Sequence, residues 1–136
     1  MTEAHGFTLS VRPATGADGG AHGWTDYATR TVWVNSDCDE AERVRILAHE
    51  TAGHIRCDHE HRRNVSRAQR ETEADSVAYV VLAALGLDIS SLTVEYVADW
   101  SGGDPEVLRA AAETVHRVAA AVLADLERDD HRDTAA

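Results

Sequence analysis

Three kinds of periodicity succeed one another along the chain. Phe7, Leu9 and Val11 alternate with Thr8 and Ser10 up to Pro13, the period of two that predicts a short, half-buried strand. Ala14 to Gly23 holds four glycines and reads as a loop. Trp24–Tyr27 and Thr31–Val34 then predict a hairpin, with Thr31, Trp33 and Asn35 on one face of its second strand and Val32 and Val34 on the other. From Ser36 the period becomes 3.6. Val44, Leu47, Ala48, Thr51 and Ile55 mark one face of a helix expected over 37–60, capped by Ser36 or Asp37. A second helix over 66–86, capped by Ser66, carries Ala74, Val77, Ala78, Val81, Leu82 and Leu85 and stops at Gly86. Its middle is nearly all apolar, which places it at the centre of the domain. A third helix over 104–128 opens on Asp104-Pro105-Glu106, with an N-cap acid and a proline at the first helical position. Its stripe runs through Val107, Leu108, Ala111, Val115, Val118, Val122 and Leu126, and the tail from Arg128 reads as frayed. The expectation is one α+β domain over 1–136. Strands and loops over 7–35 form a small antiparallel or mixed sheet of two to three strands, packed on three main helices.

Composition narrows the functional classes. A chain of 136 residues with 43% hydrophobic side chains can bury one core. Its 24 acids against 13 arginines give a net charge of −11, which argues against a surface that grips phosphates and so against direct nucleic-acid binding by this domain. No apolar window approaches a membrane span and the N-terminus lacks a signal-peptide pattern, so the expected location is cytoplasmic. Cys38 and Cys57 fall at opposite ends of one predicted helix and are expected to be reduced thiols.

The chemistry concentrates in His49-Glu50-Thr51-Ala52-Gly53-His54. In the zinc-peptidase pattern HExxH two imidazoles four residues apart lie about 40° apart on a helix and face one metal; a spacing of five puts them about 140° apart. They converge again if the turn between them carries an extra residue as a π-bulge. Gly53 sits where such a distortion needs tolerance for close backbone approach. Glu50 then reaches a water activated by that metal. The second helix adds Glu71 and Asp75, an i,i+4 pair near the start of a buried helix. Two such acids are costly unless they meet cations or a metal. Glu71 as third ligand, with Asp75 accepting the second N–H of a ligand histidine, satisfies both and leaves a fourth position open. Glu73 is the alternative ligand, because helix rotation is not fixed by sequence.

These stretches resemble the zincin-like metallopeptidase domain at the C-terminus of ArdC-type antirestriction proteins and, more distantly, the ImmA/IrrE metallopeptidases. The likeness runs through GWTDYATRTVWVNSD, RILAHETAGHIRCDHEHRR, ETEADSVAYVVLAALGLD and YVADWSGGDPE. It implies a zincin-like fold, one Zn²⁺ per chain held by His49, His54 and Glu71, and Glu50 as the catalytic acid–base. The HExxGH form is similar to that of dipeptidyl peptidase III, a likeness confined to the motifs. The N-terminal single-strand DNA-binding domain of full ArdC-like proteins has no counterpart here.

The expected function is zinc-dependent hydrolysis of peptide bonds in a peptide or protein substrate, by glutamate-assisted attack of a water activated on zinc. Tyr79, Tyr96, His59 and His61 are candidates for oxyanion or substrate contacts, although His59 and His61 also fit a solvated helix end. Thr31–Asn35 is the strand expected to align a substrate by backbone pairing. The alternative is a catalytically silent zincin-like interaction or regulatory module linked to DNA-associated or antirestriction functions. Retention of Glu50 favours the enzyme, since a structural metal site needs no general base; the five-residue histidine spacing favours the silent module. Nothing in the pattern speaks to oligomeric state.

Overall fold

The computed structural model describes residues 6–57, 66–87 and 105–135. Three strands, β1 (Thr8–Arg12), β2 (Gly23–Asp26) and β3 (Thr31–Asn35), form a mixed sheet in the order β1-β3-β2. β2 and β3 pair antiparallel, with Trp24 opposite Trp33, and β1 pairs parallel to β3, with Leu9 opposite Val32. The hairpin turn is fixed by Asp26, whose carboxylate accepts the backbone N–H groups of Ala28 and Thr29, and it closes through Arg30 at a positive φ of 52°. β3 is thus the central strand, hydrogen-bonded on both sides, and it cannot offer the open edge expected of Thr31–Asn35. Among the described residues the sheet's edges are β1 and β2.

The glycine-rich connection between β1 and β2 is tied down by one carboxylate. Asp18 accepts from the Arg12 guanidinium, from the Thr15 backbone and from the Trp24 indole N–H. Arg12 in turn stacks over Trp33, 4.7 Å from the ring centroid. The loop before β2 is therefore a constrained segment, and the two tryptophans, tilted against each other at 5.6 Å, cover this end of the sheet.

Helix α1 spans Glu40–Ala48 and runs without a break through a π-helical turn, His49–Ile55, to Cys57. Its cap is Asp39, which accepts the Glu42 N–H at 2.8 Å, rather than Ser36 or Asp37. The Asp37 N–H is taken by the Asn35 side chain, so a short turn intervenes before the helix can start. Helix α2, Arg67–Ala84, is capped by Ser66 and ends as a Schellman motif: Gly86 lies at φ 77°, and the N–H of Leu87 reaches the carbonyl of Leu82. Helix α3, Pro105–Ala135, continues past the exit expected at Arg128. No Gly or Pro interrupts this stretch, and the Thr134 hydroxyl donates back to the Asp130 carbonyl. Among the described residues no helix is long and apolar enough to cross a membrane.

The α1–π helix is packed on two sides. Toward the sheet, Ile55 meets Phe7 and Val32. Toward the helices, Ala52 and Cys57 join Val77, Val81, Val118, Ala119 and Val122 in one core, and Ala48 packs on Ala78 and Leu82. Among the described residues no disulfide forms, and Cys57 lies within the core.

Candidate metal centre

The π-turn sets the histidine geometry. Where backbone bonding runs i→i+5, residues five apart come into register, and the rings of His49 and His54 lie 4.6 Å apart, edge to face at 81°. Gly53 permits the partner helix to approach. A Cβ there would sit 2.6 Å from the Cα and 2.7 Å from the carbonyl oxygen of Ala74, backbone atoms that cannot yield. This Gly–Ala contact draws α2 against the π-turn one helical turn beyond Glu71, and so brings the Glu71 carboxylate to the imidazoles.

Glu71 spans the pair: one oxygen is 3.2 Å from His49 Nε2 and the other 3.2 Å from His54 Nε2. The far nitrogen of His49, Nδ1, lies 2.7 Å from Asp75. His49 therefore has a carboxylate at each ring nitrogen, whereas a neutral imidazole carries only one proton. The arrangement needs a second positive species, either another proton or a metal ion on Nε2. Burial works against charging His49, but the hydrogen bonds to Asp75 and Glu71 and the nearby charge of Glu50 outweigh it and raise its pKa to about 9. The same hydrogen bonds from His49 and His54 hold the Glu71 carboxyl well below the usual carboxylate range. Two imidazole nitrogens and a carboxylate converging in this way, with Asp75 fixing the tautomer, suit a divalent metal.

Glu50 is buried beside them, its carboxylate accepting a 2.6 Å hydrogen bond from the Thr25 hydroxyl on β2. Donor atoms of His49, Glu50 and His54 also lie within 4.8 Å of one another, so this trio could itself hold a metal ion. The two candidate ligand sets share the histidines and differ in the acid. We favour Glu71, because it touches both Nε2 atoms while Glu50 is engaged by Thr25.

Glu73, the alternative ligand, is buried on α2 and accepts from Gln69, away from the histidines. Two residues along a helix is about 200° of rotation, so Glu71 and Glu73 cannot share a face. Tyr79 is exposed and outside the cleft; eight residues beyond Glu71, α2 has carried it about 12 Å along its axis. His59, His61 and Tyr96 lie outside the described residues.

The histidines open into a cleft of about 660 Å³ lined by the loop at Gly20–His22, by β2, by Tyr27, and by Arg45, Arg67 and Arg70. Thr25 and Tyr27 were not visible as site residues in the sequence. Only the β2 edge, unidentifiable without strand order, brings them to the helix.

A family model described as the IrrE N-terminal-like domain, a peptidase family, matches residues 2–83, a span that holds all three strands, both histidines, Glu50, Glu71 and Asp75. Comparison with curated proteins and with solved structures found no match.

Proposed function

The chain belongs to the IrrE N-terminal-like domain family, a zincin-type peptidase family, and on that premise we propose that it is a zinc-dependent peptidase with Glu50 as its general acid–base. The observation that carries the reading is the division of labour among four acidic and imidazole side chains in one cleft. Glu71 faces His49 and His54, whereas Glu50 is held apart by Thr25.

In this reading His49 Nε2, His54 Nε2 and Glu71 would hold the metal, and Asp75 keeps the His49 proton on Nδ1 so that Nε2 is available to ligate. When bound there, zinc would supply Lewis acidity, lowering the pKa of water and polarising a carbonyl. Glu50 takes the proton of the attacking water and delivers it to the leaving amine. The Thr25 hydroxyl holds one oxygen of Glu50 and so aims the other. The open edge of β2 offers backbone groups to an extended peptide, which places the susceptible bond over the floor of the cleft. The substrate is thus a peptide or protein in extended form. The antirestriction and dipeptidyl-peptidase likenesses add no step to this scheme.

A second reading rests on the trio of His49, Glu50 and His54. If Glu50 is the third ligand, it no longer serves as general base and the domain is a silent, metal-stabilised module. Glu50→Gln separates the two readings. The peptidase reading expects hydrolysis to fall by about 100- to 10,000-fold with metal content unchanged; loss of the metal on this substitution would instead support Glu50 as a ligand.

A further inference from the structure

The cleft runs against the charge of the molecule around it. The chain carries 24 acids and 13 arginines, with no lysine, yet Arg45, Arg67 and Arg70 line the cleft against two acids, Glu50 and Glu71. Both acids are committed within it: Glu50 accepts from Thr25, and Glu71 faces the imidazoles.

Helical phase places the arginines beside the site. Arg45 precedes His49 by four residues and Arg67 precedes Glu71 by four, so each lies one turn away on the same face, and Arg70 adjoins Glu71. Arg45 is fixed there by a two-point fork onto Glu42, at 2.6 and 2.9 Å. Arg67 is exposed on the first turn of α2 and makes no ion pair among the described residues. Because β2 and this turn line the same cleft, a chain seated along β2 presents side chains to Arg67 and Arg70. A guanidinium offers a planar fork that matches a carboxylate, which a lysine would not.

We propose that the cleft selects acidic peptides, with Arg67 and Arg70 receiving a Glu or Asp side chain close to the scissile bond. This rests on the peptidase reading above and names its substrate class. Complementary charge at a cleft mouth adds discrimination and speeds capture, and it does so against the field of a strongly acidic chain that would otherwise repel such substrates.

The test is calorimetric binding to the full, zinc-reconstituted Glu50→Gln chain, with a capped peptide carrying two glutamates and its isosteric counterpart carrying two glutamines. The glutamate peptide should bind about three- to thirtyfold more tightly at low ionic strength, the sum of two charge pairs at the cleft surface, with the gap shrinking as salt is added. In Arg67→Gln/Arg70→Gln the two peptides should bind equally, with zinc content unchanged. If that variant does not fold, Arg67→Lys/Arg70→Lys should keep a reduced preference. Equal binding by the parent cleft overturns the proposal. So does a preference that survives removal of both arginines, since the metal alone would then be drawing the carboxylates. Cleavage assays with Glu50 intact keep the two readings apart. Hydrolysis of both peptides at equal kcat/KM overturns acid selection and leaves the peptidase standing, whereas acid-selective binding without hydrolysis upholds the arginines and overturns the peptidase.

Discussion

Thr25 and Asp75 make no contact with each other, yet each sets what a neighbour can do. Asp75 accepts from His49 at 2.7 Å and thereby decides which ring nitrogen is left for a metal. Asp75→Asn should weaken zinc affinity by about 10- to 100-fold while leaving the fold intact, measured by competition with a chelating dye. Thr25 donates to Glu50 at 2.6 Å, a short, partly buried hydrogen bond to a carboxylate at the floor of the cleft. Thr25→Val should lower kcat by about tenfold or more with KM little changed, and Thr25→Ser should restore most of it. A parallel fall for Ser and Val would show that the methyl group, not the hydroxyl, is what β2 contributes. His49, Glu50, His54, Glu71 and Asp75 were legible in the sequence because they lie on two helices whose spacing relates them. Thr25 was not, since its partner stands on a different element and only the strand order β1-β3-β2 brings the two together.

At the scale of elements, the π-turn is the device on which the site depends. The spacing of His49 and His54 lets the two rings converge only if the turn carries an extra residue, Gly53 is where the backbone can accommodate it, and the π-turn His49–Ile55 supplies it. The structure adds why glycine is required: Ala74 packs so closely on α2 that any side chain at Gly53 meets backbone. Gly53→Ala should cost about 1–3 kcal/mol of stability and push α2 outward, carrying Glu71 away from the histidines, so thermal stability and metal binding should fall together. Deleting Ala52 restores a four-residue spacing but removes a fully buried core residue, and should weaken both stability and activity rather than regenerate a conventional site. The sheet was harder to read. Alternation located β1 and the hairpin, but nothing local distinguishes a strand paired on one side from one paired on both; the burial of Val32 and Trp33 on opposite faces of β3 is a tertiary fact. The pattern alone does not choose the helix start for a similar reason: Ser36, Asp37 and Asp39 are all capable caps, and the turn closed by Asn35 selects the last of them.

For the whole molecule, the cluster at the cleft links stability to pH. In the metal-free chain the folded-state pKa of His49, about 9, lies above its ordinary value of 6.5. Its contribution to stability is therefore fully present below about 6.5 and is lost as pH rises through 9. Glu71, depressed from an ordinary 4.5, contributes in the opposite sense: its stabilisation is present above about 4.5 and is lost as pH falls through its folded-state value. The metal-free protein should thus be most stable between about pH 4.5 and 6.5 as far as this cluster decides, with its melting temperature declining from neutral toward pH 9. In the zinc-loaded protein His49 Nε2 is a ligand rather than a proton carrier, and that alkaline decline should disappear. An alkaline decline of equal size with and without zinc would contradict the assignment of His49.

Which acid completes the metal site is answered most directly by elemental analysis of untagged protein. The parent chain and Glu50→Gln should each carry about one zinc, whereas His54→Ala and Glu71→Gln should lose it. Zinc retained in Glu71→Gln and lost in Glu50→Gln would contradict the account, because Glu50 would then be a metal ligand rather than the general base.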